Sequence, residues 1–134
     1  MNILLDTHIA LWAVAETKKL PEKCIELFQV EDNNFYVSIA SVWEVAIKNI
    51  LRPDKVVMSD FEYVNLCEMS GFNMLPLRVG HIFTLKTLKR LKDAPEHKDP
   101  FDRIMIAQAK FEKFYFLTHD KLLPYYGEDC IIKV

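Results

Sequence analysis

Five short runs of apolar, β-branched or aromatic residues, at 2–5, 35–37, 72–77, 114–117 and 130–134, alternate with longer stretches of helical periodicity. This alternation restricts the fold more than any other feature of the chain. Parallel neighbours in a sheet need a crossover connection, usually a helix, and helices then cover both faces of the sheet. The expected fold class is α/β, with a mostly parallel central sheet in a single domain over residues 1–134. At 51% hydrophobic content the chain has enough apolar side chains for a packed core.

Local signals place the helices. Residues 9–15 follow Thr7, the natural N-cap, so Asp6 at the carboxyl end of the first run is not needed for capping. Pro21 opens a helix over 21–30. From Ser38 to Pro53, Trp43, Ala46, Ile47 and Ile50 recur at i, i+3, i+4 and i+7, which makes Trp43 an expected core residue, and Ser41-Val-Trp-Glu44 has the form of a capping box. Ser59 caps a helix that Gly71 ends. Ile82, Leu85, Leu88 and Leu91 make an apolar stripe whose opposite face carries Lys86, Lys89, Arg90 and Lys92. In His97-Lys-Asp-Pro-Phe-Asp-Arg103, Pro100 fits the first helical position, which makes Asp99 the N-cap and puts Asp102 in the first turn of a helix running to about residue 113.

Several classes are excluded. With only three glycines, Gly71, Gly80 and Gly127, the chain has neither a dinucleotide fingerprint nor a P-loop. Cys24, Cys67 and Cys130 are odd in number and widely spaced, which fits reduced thiols better than a disulfide or zinc framework. No segment approaches the ~20 apolar residues of a membrane span, and the amino terminus is unlike a signal peptide, so the expected compartment is the cytoplasm. A net charge of −2 means that any nucleic acid must be held by a local patch. Residues 86–98 carry five basic and two acidic side chains, and Lys98 and Arg103 flank the acids of the central motif. Such a face also fits plain solvation.

Four acids far apart in sequence, Asp6, Glu44, Asp102 and Asp120, fall on this reading at one edge of the sheet, where ligands bind in open α/β folds. Singly, each has a structural explanation: Glu44 can pair with Lys48 at i+4, and acids at a helix start favour the positive end of the macrodipole. Together they repel by several kcal/mol unless something positive lies among them. A hard divalent cation answers that need. Carboxylates select magnesium or manganese, and the four histidines show no zinc-type pairing. Such a site suits phosphodiester hydrolysis.

The pieces LLDTH at 4–8, SVWEVAIK at 41–48, HKDPFDRIMIAQA at 97–109 and LTHD at 117–120 resemble the PIN-domain ribonucleases, in particular the VapC-type toxins of toxin–antitoxin pairs. The resemblance implies a three-layer α/β/α domain, Mg2+- or Mn2+-dependent RNA cleavage and inhibition by a cognate antitoxin; a homodimer is the expected assembly. Asp6, Glu44 and Asp102 match the family's core acids, and Asp120 its fourth. Thr7 and Asp99 take supporting places, and Lys86, Lys89, Arg90, Lys92, Lys98 and Arg103 form the candidate RNA-binding set. Two other classes compete: a catalytically silent protein-binding module built on the same fold, and a magnesium-dependent phosphotransfer domain. The second needs a lysine after the last strand and makes no use of the Asp102 helix start.

Overall fold

The computed structural model describes Met1–Val134. Five strands, β1 (Asn2–Leu5), β2 (Asn34–Ser38), β3 (Asn73–Leu75), β4 (Tyr115–Thr118) and β5 (Ile131–Lys133), form one sheet in the order β3-β2-β1-β4-β5, and every pairing is parallel. Six helices accompany them: α1 (Thr7–Ala15), α2 (Glu22–Gln29), α3 (Ile39–Leu51), α4 (Asp60–Met69), α5 (Val79–Thr84) and α6 (Pro100–Glu112). The result is the expected three-layer α/β/α fold.

Alternation along the strands explains the layers. Ile3, Leu5, Phe35, Val37 and Leu117 point to one face, where they pack with Ile9 and Ala10 of α1, Cys24 of α2, and Tyr63 and Cys67 of α4. Leu4 and Phe116 point to the other, against Ile104, Met105, Ala107 and Ala109 of α6. Both faces are covered, so the strands read as continuous apolar runs. Helix α3 serves both cores, giving Val45 to the first and Ala40 to the second. No helix is long and apolar enough to cross a membrane. All three cysteines are free, and burial pushes the Cys24, Cys67 and Cys130 thiols up to about 11, 12 and 11.

Strand order reverses at β1, the first strand, which is flanked by β2 on one side and by β4 on the other. The loops leaving β1 and β4 therefore separate and open a crevice at their carboxyl ends.

Three local expectations need correction. The helix read over 82–91 stops early: α5 ends at Thr84 and tightens into a 3-10 turn at Leu85–Thr87, after which the chain runs without helix to Asp99. The apolar stripe has a strict three-residue spacing, which suits three residues per turn rather than 3.6. Lys89, Arg90 and Lys92 thus lie on a loop. The stripe Trp43–Ile50 does not face the core; Trp43 is 61% and Ile50 77% exposed, while the buried side of α3 is Ala40, Ser41, Glu44 and Val45. Finally, Ser38 caps α3 and Asp6 occupies the N-cap position of α1, so neither the Ser41–Glu44 capping box nor a Thr7 cap forms.

Candidate active site

Asp6, Glu44, Asp99, Asp102 and Asp120 line one cleft of about 300 Å³ at the carboxyl end of β1 and β4, together with His8, Trp12 and His119. A cavity of about 370 Å³ lies at the amino ends of the strands, among Phe28, Asn33, Phe72 and Asn73. It contains no titratable side chain, so the chemistry belongs to the acidic cleft.

Each acid is placed by a specific element. Asp6 leaves β1 and its carboxylate accepts from the Thr7 N–H at 2.7 Å and from the Thr118 hydroxyl at 2.5 Å. The same Thr118 oxygen accepts the Asp120 N–H at 3.0 Å, and the Asp120 carboxylate accepts the Leu122 N–H at 2.8 Å. Thr118 thus ties the first acid to the last. Glu44 is buried on the inner side of α3, where one oxygen accepts from Thr7 Oγ1 at 2.6 Å and the other pairs with Lys48. Thr7 Oγ1 also meets Ser41 Oγ at 2.8 Å, and Ser41 Oγ meets the Tyr63 hydroxyl at 2.7 Å. Asp99 caps α6 by accepting from the N–H groups of Phe101 and Asp102 at 2.9 and 3.2 Å. Asp102, one turn inside, is bonded instead through Oδ2 to His97 Nε2 at 3.0 Å.

The electrostatics follow from this crowding. Burial, reinforced by Asp6, Asp99, Glu44 and Asp120, pushes Asp102 up to about 9. Burial also raises Asp6, to about 6; the Thr118 hydrogen bond and His8 pull it down, and Glu44 pushes it up. Burial lowers Lys48, but its hydrogen bond to Glu44 and the charges of Glu44, Asp99 and Asp102 outweigh this and hold it above its ordinary value. One lysine does not balance five acids. The donor set fits a divalent cation: it is rich in carboxylate oxygen, and carboxylate oxygens of Asp102 and Asp120 come within 4.8 Å of each other, with the His97 imidazole beside them.

Two contributors had no assigned role in the sequence. His97 comes close to Asp102 because the chain turns at the Asp99 cap; its only sequence signal was membership of the HKDPFDR motif. Thr118 was legible only as the residue before His119 and Asp120. Of the basic residues, Lys86, Lys89, Lys92 and Lys98 are exposed, and Lys98 and Arg103 line a small cleft with Leu85 and Pro100. Arg90 differs: its guanidinium donates to the carbonyls of Leu122 and Pro95 at 2.9 and 2.7 Å and lies 4.5 Å over the Tyr126 ring.

Solved structures of similar fold cover nearly the whole chain. VapBC2 from Rickettsia felis, bound to a DNA fragment from its promoter, aligns with a TM-score of 0.70 at 14% identity over 100% of this chain and 98% of that one. VapBC-1 from nontypeable Haemophilus influenzae gives 0.67 at 15% identity, covering 99% and 98%, and a toxin–antitoxin complex from Klebsiella pneumoniae gives 0.61 at 16%, covering 98% and 96%. No curated protein matches the chain. The PIN domain model matches residues 3–128, which takes in Asp6, Glu44, Asp102 and Asp120, and on that match the chain belongs to the PIN-domain family.

Proposed function

We propose that the chain is a Mg2+- or Mn2+-dependent endoribonuclease and the toxin of a VapC-type toxin–antitoxin pair. The observation that carries this reading is the convergence of Asp6, Glu44, Asp102 and Asp120 in one cleft at the strand-order reversal. An uncompensated cluster of buried acids opposes folding, and its retention calls for a cation.

On this reading the four acids hold the ion, and Thr7, Thr118 and Asp99 hold the acids in place. A bound divalent cation supplies an ionised water and neutralises charge at the scissile phosphate. Lys86, Lys89, Lys92, Lys98 and Arg103 engage the RNA backbone through phosphate contacts that position without reading sequence. Arg90 braces the loop that carries Lys89 and Lys92. The Asp102 helix start distinguishes this scheme from phosphotransfer.

An antitoxin partner is supported by the solved toxin–antitoxin relatives and by a surface feature. Trp43, Leu77, Ile82, Leu85 and Phe101 line an apolar groove of about 210 Å³, with Trp43 edge-on to Phe101 at 5.1 Å. An arginine from such a partner can pair bidentately with the cleft carboxylates in place of the metal. A homodimer with the cytoplasm as its compartment completes the proposal. End-mapped cleavage of total cellular RNA with Mg2+ or Mn2+ tests it: the wild type should cut and Asp102→Asn should not. Metal binding without RNA cleavage would favour phosphotransfer, and neither activity would favour the silent module.

A further inference from the structure

Residues 88–99 cross the molecule without helix or strand, a long irregular connection for a compact domain. It is pinned along its path. The Leu91 N–H donates to the Tyr125 carbonyl at 2.7 Å, and Arg90 clasps Leu122 and Pro95 while covering Tyr126. Gly127, at φ +64°, sits so close to Leu91 that a Cβ there would meet Leu91 Cδ2 at 2.9 Å. The loop and the turn at Leu123–Tyr126 are interlocked.

The strap delivers His97. Its side chain is only 6% exposed and uses both ring nitrogens, with Nδ1 2.8 Å from the Tyr126 hydroxyl and Nε2 3.0 Å from Asp102 Oδ2. Edge-on packing against the Tyr126 ring, at 5.6 Å between centroids, fixes the imidazole plane. Asp102 differs from its neighbours in how it is held. Asp6 and Glu44 have partners on both oxygens, whereas Asp102 has one on Oδ2 and none on Oδ1.

We propose that His97 is the positioning residue of Asp102: braced by Tyr126 and Arg90, it captures Oδ2 and so aims Oδ1 into the cleft as a preset metal ligand. The proposal rests on the metal-dependent reading of the cleft. Partners that orient a ligating carboxylate are part of how a protein sets metal affinity, because they remove the rotation that binding would otherwise have to freeze. The imidazole acts through the aspartate and is not itself a ligand.

The test reads Mn2+ binding to the whole chain without RNA, by loss of the free-ion electron paramagnetic resonance signal. Asp102→Asn should remove tight binding. His97→Ala should weaken it ~10–100-fold, the usual effect of losing such a partner. His97→Gln, whose amide N–H can reach toward Oδ2, should recover most of the loss. Tyr126→Phe removes a single hydroxyl and should fall between; if His97→Ala fails to fold, an unchanged affinity in Tyr126→Phe overturns the proposal by itself. Electron spin echo modulation of the wild-type complex should show no coordinated histidine nitrogen. A directly bound nitrogen that vanishes in His97→Ala would make His97 a ligand and overturn the positioning role. Wild-type affinity in His97→Ala, with Asp102→Asn defective, removes this proposal alone. Wild-type affinity in Asp102→Asn removes the metal centre and this proposal with it.

Discussion

Leu5 of β1 pairs in register with Leu117 of β4, so the residues that follow them, Asp6 just past β1 and Thr118 at the last position of β4, stand side by side although 112 positions separate them. The pairing is continued by the Asp6 N–H, which donates to the Leu117 carbonyl at 3.0 Å. The cleft is thus a product of sheet register: a slip of one residue would turn Asp6 into the core and Leu5 into the crevice.

The first prediction concerns stability in the absence of metal. Asp102 has its ordinary value near 3.8 when unfolded and about 9 when folded, so between those limits the native state binds the extra proton. Stability from this group is present at low pH and is lost as pH rises through that window. Asp6 adds a narrower loss between 3.8 and about 6. Metal-free Asp102→Asn should therefore gain on the wild type as pH rises from 5 to 8, by on the order of 1–3 kcal/mol. Thermal melts of both proteins across that range check it; parallel curves would refute the raised carboxyl.

Metal should reverse that penalty. Millimolar Mn2+ or Mg2+ ought to raise the wild-type Tm at pH 8 by linkage, since it binds the native state and not the unfolded chain. Asp6→Asn should lose most of the response while keeping its far-ultraviolet spectrum. Equal stabilisation of both proteins would place the ion elsewhere.

How much of this was legible in the sequence depended on range. The Asp99 cap and Pro100 start of α6 were readable because capping is decided within four residues. The strand-end positions of Asp6 and Asp120 followed from the βα alternation. The contacts of Thr118 and His97 were hidden, since register and a long irregular loop set them. Trp43 misled for a related reason: helical periodicity shows that an apolar face exists but not whether the core receives it, and on α3 the inner side was given to Ser41 and Glu44.

Asp99 and Asp102 should separate cleanly by substitution. Asp99 spends its carboxylate on two backbone N–H groups of α6, so Asp99→Ala should cost about 1 kcal/mol of stability, as lost caps do, with most nuclease activity kept. Asp102→Asn should show the opposite pattern. Denaturant melts alongside cleavage assays decide the matter, and an inactive Asp99→Ala with an active Asp102→Asn would reverse the assignment.

The basic loop offers a salt-dependence test. Lys89 and Lys92 are free in solvent, so replacing both with alanine should weaken RNA binding and flatten the plot of log affinity against log salt by roughly two contacts. Arg90→Ala should instead lower stability, because it releases the Leu122 and Pro95 carbonyls and uncovers Tyr126. Filter binding at several salt concentrations measures the first effect and thermal melts the second. An unchanged slope in the double variant would return the loop lysines to simple solvation.

The toxin role makes the widest claim and has the plainest readout. An unpartnered ribonuclease with a preformed cleft harms its host, so expression of this chain alone should arrest bacterial growth. Glu44→Gln keeps the size of the side chain but removes the charge that pairs with Lys48, and should not arrest growth. Trp43 probes the partner separately from catalysis, because it is exposed beside the apolar groove and contributes nothing to the acid cluster. Trp43→Ser should therefore stay toxic yet escape rescue by a co-expressed neighbouring small protein that protects cells from the wild type. Growth unaffected by folded, well-expressed wild type would remove the toxin role and leave a nuclease without an antitoxin, whereas rescue of Trp43→Ser as complete as that of wild type would move the partner off the groove.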